Sequence, residues 1–494
     1  MPTNNSPGVY VEETSSFPNS ITQVASAIPA FIGKTQIVPE NGEFTPVKIN
    51  SLLEYEYHFG TSKPYEYHVT IKQKTRTNTI ELVKLEKDLD AEKEIMFYAI
   101  KLYFSNGGGP CYISPLFTNA NKEKYEKALK AVAEIDEVTL LVCPDAIQLG
   151  NDYYILCQEV LHQCSALKDR FAIFDVLMED QIDESTIKFR NGIVGDLKYG
   201  AAYMPYLNSS FSYKYNDSKV SVINNQETSR PVKTTLNLLK DSNPDVYNFV
   251  KSELAKHTVI LPPSCAVAGI YVQTDNNRGV WKAPANVSIS SIIGPTHTIS
   301  ESEQNSLNAD QASGKSINAI RSFPGKGTLI WGARTLAGNN NEWRYIPVRR
   351  LFNMVEESIK KSTTFVSFEV NDATTWIKTR TIIENYLSSL WRQGALAGTK
   401  AEHAFYVRVG LNETMTTQDI LEGRMTFEIG LAPIRPAEFI ILKFTHQMKT
   451  INGEKEVQIS LSSNEITILL EALDKLPFYQ SNQLIAKIKQ QTET

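Results

Sequence analysis

The stretch VTLLVCPDAIQLGNDYYILCQEVLHQCSALKDRFAIFDV, residues 138–176, decides the fold class of this chain. It begins with an apolar run, Val138-Thr139-Leu140-Leu141-Val142, that is typical of a buried strand. A helical segment over 151–167 follows, and then a second strand pattern, Arg170-Phe171-Ala172-Ile173-Phe174-Asp175-Val176. A strand, a helix and a strand in this order predict an α/β layer arrangement.

The alternation of strand and helix continues toward the N-terminus. Ala30-Phe31-Ile32-Gly33 reads as a further strand, and apolar residues recur at helical spacing over 91–105 and 121–134. Two polar segments interrupt the pattern, 60–90 and 208–245. We expect both to be solvent-facing excursions or an outward insertion of an α/β region that spans 20–343.

Three further regions have their own character. The stretch 297–317 has few large apolar residues and is expected to be a loop. An α+β module is predicted for 344–450, and a C-terminal extension for 451–494, with one helix starting at Ser463-Asn464-Glu465 and a second over 482–489. The predicted helices and strands of the module are 345–362, 372–393, 404–409, 424–430 and 438–444.

Residues 1–19 contain one isolated strand pattern, Gly8-Val9-Tyr10-Val11-Glu12-Glu13, between Pro7 and Pro18. A strand without a neighbouring hairpin partner must pair with a distant segment or with another molecule, because unpaired backbone groups are costly to bury. We interpret this region as an arm. The alternative is an N-terminal strand that closes its own sheet.

Composition excludes several classes of protein. The 494 residues are 42% hydrophobic and 21% charged, as in ordinary globular proteins, and the net charge of −5 comes with no basic stripe that would bind nucleic acid. Five cysteines without a CxxC pair predict reduced, mostly buried thiols. Because no signal peptide or apolar stretch of about 20 residues is present, we expect cytoplasmic assembly and no membrane insertion.

No catalytic, metal or cofactor site is predicted, and we expect no enzyme activity. The seven histidines form no metal-binding motif, and Gly314-Lys315-Ser316 has Ala309 where a phosphate-binding loop needs glycine. The alternative is a hydrolase with Cys265, which follows Ser264 in a proline-rich turn, as nucleophile. No base that could activate this thiol is recognisable.

Several blocks, read in order, resemble the contractile tail sheath family of phages, R-type pyocins and extracellular contractile injection systems. They cover about residues 7–446 and include 7–13, 104–113, 317–336 and 432–440. The most specific block runs from Leu261-Pro262-Pro263-Ser264 to Arg278-Gly279-Val280-Trp281-Lys282-Ala283-Pro284-Ala285-Asn286. Within these blocks we expect Arg278, Trp281, Arg321 and Trp331 to serve packing and turn geometry.

The resemblance implies a structural subunit that polymerises as a six-fold helical sheath around an inner tube and contracts to drive the tube through a target envelope. It implies that 20–343 forms the outer domain, that 344–450 faces the tube, and that the terminal arms add strands to neighbouring subunits. The implied partners are the tube, baseplate and terminal cap proteins. The particle would be a phage tail or a released injection system, and the alternative is another tail component of the tube or baseplate.

Three groups of residues are predicted to make these contacts. The alternatives are ordinary core packing for the second group and a solvated helix face for the third. The first group is the exchanged strand of the arm, Gly8, Val9, Tyr10, Val11 and Glu12; the second is the receiving sheet, Phe427, Ile429, Phe439, Ile440 and Ile441; the third is a tube-facing set, Arg349, Arg350, Lys360 and Lys361.

Overall fold

The computed structural model describes residues 20–40, 42–74, 79–87, 95–117, 120–226, 231–308, 310, 312–436 and 463–474. The chain forms two compact units, Met1–Pro436 and Ala437–Thr494. The strands are β1 (Pro29–Lys34), β2 (Val47–Ile49), β3 (Tyr65–Lys74), β4 (Thr79–Lys87), β5 (Cys111–Leu116), β6 (Leu140–Val142), β7 (Phe171–Asp175), β8 (Gly200–Met204), β9 (Leu207–Ser212), β10 (Tyr215–Gln226), β11 (Val232–Thr235), β12 (Thr258–Leu261), β13 (Ile292–Pro295), β14 (Asn318–Phe323), β15 (Gly327–Trp331), β16 (Phe405–Arg408) and β17 (Glu428–Leu431).

Helices alternate with these strands through most of the first unit. The second unit contributes one described helix, α14. The helices are α1 (Leu52–Phe59), α2 (Met96–Ser105), α3 (Lys122–Ala133), α4 (Asp152–Leu167), α5 (Ile182–Gly192), α6 (Leu236–Ser242), α7 (Pro244–Lys256), α8 (Ser264–Arg278), α9 (Glu301–Asn308), α10 (Ile346–Ser362), α11 (Ala373–Arg392), α12 (Ala401–Ala404), α13 (Thr417–Leu421) and α14 (Ser463–Asp474).

An eight-stranded sheet lies at the centre of the first unit, in the order β15-β14-β8-β7-β6-β1-β5-β2. The strands from β14 to β5 run parallel, and β15 and β2 pair antiparallel at the two edges. The neighbours β6 and β7 flank α4 in sequence, as residues 138–176 predict. The predicted α/β arrangement is therefore confirmed.

Both faces of the central sheet are buried, because successive strand residues point to opposite sides. Phe31 belongs to the core that β1 shares with α2 and α8, whereas Ala30 and Ile32 belong to the core with α3 and α4. Helix α8 has buried side chains around its whole circumference in its first half. Ser264 and Cys265, which are predicted to lie in a turn, instead begin this helix directly after Pro262-Pro263.

The two polar segments at 60–90 and 208–245 come together in a small domain of the first unit. Its four-stranded sheet has the order β11-β10-β3-β4, with β3 and β10 parallel and Val69 opposite Val222. Alternate residues of β3 are buried in a hydrophobic cluster with α6 and α7. The two segments thus form one folded domain, and its polar composition reflects the exposed faces of its strands and helices.

The expected loop at 297–317 contains a helix, α9, so this expectation was wrong. A capping box starts the helix: the Ser300 backbone N–H donates to Glu303 Oε2 at 2.7 Å, and the Glu303 N–H donates to Ser300 Oγ at 3.3 Å. Leu307 is the buried residue that holds α9 against the sheet. Because Leu307 is the one buried apolar residue among the eight of α9, the segment has no hydrophobic periodicity from which a helix could be predicted.

After Trp343 the chain builds a further hydrophobic cluster from α10, α11 and β16, which Ile21 and Val280 join from earlier in the sequence. The helices predicted at 345–362 and 372–393 correspond to α10 and α11. The alternating stretch 424–430 forms a strand only from Glu428 onward. The predicted strand 438–444, the arm at 1–19 and the helix at 482–489 lie outside the described residues.

Candidate functional site: an assembly interface

Strands β16 and β17 form a small sheet that is the described part of the predicted receiving sheet. They pair antiparallel, with Val407 opposite Ile429, and within the described residues they pair only with each other. Each strand therefore has one edge whose backbone groups have no strand partner in this part of the chain. Such edges suit the addition of a further strand.

The side chains of the predicted receiving sheet alternate as expected. Phe427 and Ile429 are half-buried and pack against the cluster of α10 and α11, whereas Thr426 and Glu428 are exposed. Both the core-packing alternative and a receiving role are compatible with this placement, because each strand has two faces and two edges. Phe439, Ile440 and Ile441, and the arm residues Gly8 to Glu12, lie outside the described residues.

The first described residues run along α10. The Thr22 backbone N–H donates to Ser362 Oγ at 3.1 Å, and the Val24 N–H donates to Ser358 Oγ at 3.0 Å. Two hydroxyls one turn apart on α10 thus hold alternate backbone donors of the segment that leads into the predicted arm. Sequence reasoning missed these serines, because their partners lie more than 330 positions away.

Arg350 is the centre of a buried network that joins this segment to α8 and α10. Its guanidinium donates to both carboxylate oxygens of Asp275, at 3.0 and 2.5 Å, and to the Ser26 carbonyl at 2.9 Å. The Ser26 hydroxyl also donates to Asp275, and the guanidinium lies 4.6 Å from the ring centre of Tyr271. A bidentate pair of this kind fixes both position and orientation.

The four predicted tube-facing residues fall into two classes. Arg349 is buried, donates to Asn353 and Glu356, and lies 4.3 Å from the ring centre of Trp343; Arg350 is buried as described above. The Lys360 side chain is 71% exposed and that of Lys361 is 34% exposed. Of these four residues, the arginines are buried in packing contacts. The lysines reach the exterior, where Lys360 pairs with Glu357 at 3.2 Å and Lys361 with Asp136 at 2.7 Å.

The most specific sequence block, Leu261 to Asn286, contains the whole of α8 and the turn that follows it. Gly279, with φ of 86°, terminates the helix, and a Cβ there would come within 2.4 Å of the Trp281 ring. Arg321 and Trp331 both pack on Phe323, with ring centres of Phe323 and Trp331 4.6 Å apart. These placements agree with the predicted roles in packing and turn geometry.

Cys265, the alternative nucleophile, is fully buried at the start of α8. Burial raises the pKa of its thiol well above the ordinary value, so the thiol is protonated at neutral pH. The nearby Asp175 is also buried and accepts a hydrogen bond from the Ser264 backbone N–H at 2.8 Å. Burial raises the pKa of this carboxyl to about 7. A substrate has no access to this thiol in the described conformation.

Two other motifs are accounted for by packing. The Lys315 ammonium donates to the backbone carbonyls of Arg190 and Ile193 at the end of α5, which places it in a structural contact. All five cysteines are free, four of them buried. Among the described residues there is no group of three or more His, Cys, Asp or Glu side chains arranged to hold a metal, and no helix long and apolar enough to span a bilayer.

Comparison with known sequences identifies related proteins. A sequence model of the family described as "Phage tail sheath C-terminal domain" matches residues 339–447. The tail sheath protein of Enterobacteria phage T4 is 27% identical over 186 residues, and that of Vibrio phage KVP40 is 25% identical over 185 residues. Each alignment covers 37% of this chain but only 27% and 26% of those longer relatives.

Solved structures extend the similarity to most of the chain. The sheath complex of the extracellular contractile injection system PVC, in its contracted state, gives a TM-score of 0.62 with 30% identity, over 90% of this chain and 98% of that one. The contracted helical sheath of the anti-feeding prophage gives a TM-score of 0.65 with 32% identity, over 90% and 99%. Sequence and structure agree over nearly the whole length of these sheath subunits, and the chain belongs to the contractile tail sheath protein family.

Proposed function

We propose that this chain is the sheath subunit of a contractile injection particle. It would polymerise as a six-fold helical sheath around an inner tube and contract to drive the tube through a target envelope. The observation that carries the proposal is the identity of 30% and 32% with subunits of two contracted sheaths, over almost their entire length. A released extracellular particle is favoured over a phage tail, because the PVC sheath comes from an extracellular contractile injection system.

The energy for contraction would reside in the packing between subunits. A metastable extended lattice that relaxes to a more buried contracted lattice needs only a few kcal/mol per subunit, because the gain is summed over many subunits. A structural role of this kind calls for no cofactor. It would couple the tube, baseplate and terminal cap proteins into one two-state assembly.

The arm and the receiving sheet would hold the lattice together during this change. Residues 8–12 of one subunit would add a strand beside β16 or β17 of a neighbour, since both strands have an edge without a strand partner in the described structure. Backbone pairing does not depend on one rigid subunit orientation. Subunits linked in this way could rotate without separating.

Electron microscopy of the purified full chain tests the proposal. We expect hollow helical tubes, alone or when the chain is co-expressed with its tube protein. Deletion of residues 1–19 should prevent long tubes while leaving a folded subunit with an unchanged circular dichroism spectrum. A full chain that stays monomeric under every condition, including co-expression, would contradict the proposal.

A further inference from the structure

Residues 20–28 form a strap that leads from the predicted arm into β1. Side chains of distant elements bind its backbone at every second residue, which is the spacing at which a strand bonds to a neighbour on one side. The bonded strap residues are Thr22, Val24, Ser26 and Ile28, and their partners are Ser362, Ser358, Arg350 and Thr139, in that order. Side chains thus take the place of a neighbouring strand.

The second half of the strap, 26–28, is firmly held. Ser26 belongs to the buried network of Arg350 through both its carbonyl and its hydroxyl, and hydrogen bonds to ionised groups are stronger than neutral ones. Ile28 is bound at the start of β6. Its N–H donates to Thr139 Oγ1 at 2.7 Å, and its carbonyl accepts from the backbone N–H groups at 139 and 140, at 2.9 and 3.3 Å. This half is therefore fixed to the body of the first unit.

The first half of the strap, 20–25, is held more loosely. It rests on one buried side chain, Ile21, and on the two neutral hydrogen bonds to Ser358 and Ser362. Open space adjoins it in two places, a cavity of about 310 Å³ and a groove of about 530 Å³, and Val24 borders both. A segment with few packing contacts and accessible hydrogen bonds opens at a lower free energy than the core does.

A pull on the arm would reach the strap at Ser20 and meet the loosely held half first. We propose that the strap is a tether with a stop, in which residues 20–25 detach from the last turns of α10 under such a pull while Ser26 stays bound. The six released residues cover about 20 Å of extended chain, which lengthens the reach of the arm while the subunit stays folded. This inference rests on the proposed sheath function, in which a neighbouring copy holds the arm while subunits rotate.

Hydrogen exchange in the unassembled full chain tests the difference between the two halves. We expect the Thr22 and Val24 amides to exchange at least a hundredfold faster than the Ile28 amide, after each rate is corrected for that of an unstructured peptide. Ser358→Ala with Ser362→Ala should speed exchange at Thr22 and Val24 about tenfold further and leave Ile28 unchanged. Equal protection of the three amides would overturn the inference.

A matched pair of disulfide locks tests the release itself. Thr22→Cys with Ser362→Cys joins the first half to α10, and Ile28→Cys with Thr139→Cys joins residues that stay bound throughout. In each pair a backbone N–H of one residue bonds the hydroxyl of the other, which brings the two within reach of a disulfide. Particles are assembled under reducing conditions and then oxidised, and mass spectrometry confirms each bond.

Electron microscopy then counts the particles that contract after heating. We expect the first lock to lower the contracted fraction at least tenfold, a reductant to restore it, and the second lock to have no effect. Wild-type contraction with the first lock, or an equal block by both locks, would overturn the inference. A wild-type chain that forms no sheath would instead refute the proposed function, and the exchange rates would still decide how the strap is held.

Discussion

Arg350 and Asp175 are both buried ionisable groups, but they differ in the partners that their charged forms have. Arg350 has a bidentate carboxylate partner in Asp275. Asp175 has one backbone donor, the Ser264 N–H, and its charged form is disfavoured. The sequence predicts a tube contact for Arg350 and gives no sign of its network. The reason is that Asp275 lies 75 positions away and no local pattern links the two residues. Residue-level roles of this kind depend on distant contacts.

Replacing Arg350 by methionine should destabilise the subunit strongly. The substitution leaves the Asp275 carboxylate buried without its cation, and such losses typically cost about 3–5 kcal/mol. Urea unfolding of the unassembled subunit measures the effect. As a control, Arg380→Met removes an exposed pair with Glu384 on α11 and should cost less than about 1 kcal/mol. Equal losses in the two variants would show that the Arg350 network contributes no special stability.

The stability of the subunit should depend on pH through Asp175. The native carboxyl, with its pKa of about 7, holds a proton between about pH 4 and pH 7 that the unfolded chain releases. The contribution of Asp175 to the free energy of unfolding is therefore complete below pH 4, falls as the pH rises from 4 to 7, and is lost above pH 7. Asp175→Asn should remove this pH dependence. Between pH 4 and pH 7 the free energy of unfolding of the variant should therefore rise by roughly 4 kcal/mol relative to that of the wild type.

Unfolding midpoints of wild type and D175N between pH 4 and pH 8.5 check this prediction. The difference between the two proteins isolates Asp175, because all other groups titrate in both. The exposed Asp180→Asn serves as the control and should run parallel to the wild type. A constant difference between D175N and the wild type across the pH range would contradict a raised pKa at Asp175.

Elements with a clear hydrophobic period could be predicted from the sequence, and those whose burial is set by tertiary contacts could not. Helices α3, α4, α10 and α11 were all predicted, since each has one apolar face. Helix α8 escaped detection because it is buried on several sides and carries no single stripe. The pairing of the two polar segments in one sheet could not be predicted, because β3 and β10 are separated by about 140 residues of chain.

Gly269 allows α8 to pack closely against α2. A Cβ at this position would lie 2.6 Å from the Tyr103 backbone oxygen, and backbone cannot move aside as a side chain can. Gly269→Ala should therefore separate the helices and cost about 1–3 kcal/mol. Gly294→Ala is the matched control, because open space surrounds that position. Thermal unfolding of the two variants measures the effect. An unchanged melting temperature of G269A would show that α2 and α8 can separate without a loss of stability.

At the scale of the whole molecule, the described residues before Ala437 form a packed α/β body, the small domain and the module of α10 and α11. Among the described residues, the buried side chains lie in the first unit, between Ile21 and Met415. The predicted exchange arm lies outside the described residues. Of the predicted contact residues, Lys360 and Lys361 are the exposed cations on α10. The tube-facing hypothesis therefore depends on these two lysines.

Reversing their charge with Lys360→Glu and Lys361→Glu should weaken co-assembly with an acidic tube protein several-fold. The effect should shrink at high salt, because screening weakens exposed charge contacts. Co-sedimentation of sheath with preformed tubes measures it. Lys233→Glu with Lys240→Glu reverses the same charge on the small domain and should leave co-sedimentation unchanged. If the variant with Lys360→Glu and Lys361→Glu co-sedimented with tubes as well as the wild type does, the tube-facing hypothesis would be wrong.

The small domain is connected to the body by four passages of the chain, since β3–β4 and the segment from β10 to α7 each leave and re-enter it. The Tyr98 hydroxyl bonds Ser62 and the Lys214 backbone N–H at the base of these passages. A domain on a single linker can swivel, but four passages resist torsion. Dyes placed on the small domain and on the body of one subunit should therefore keep a constant separation during the proposed contraction.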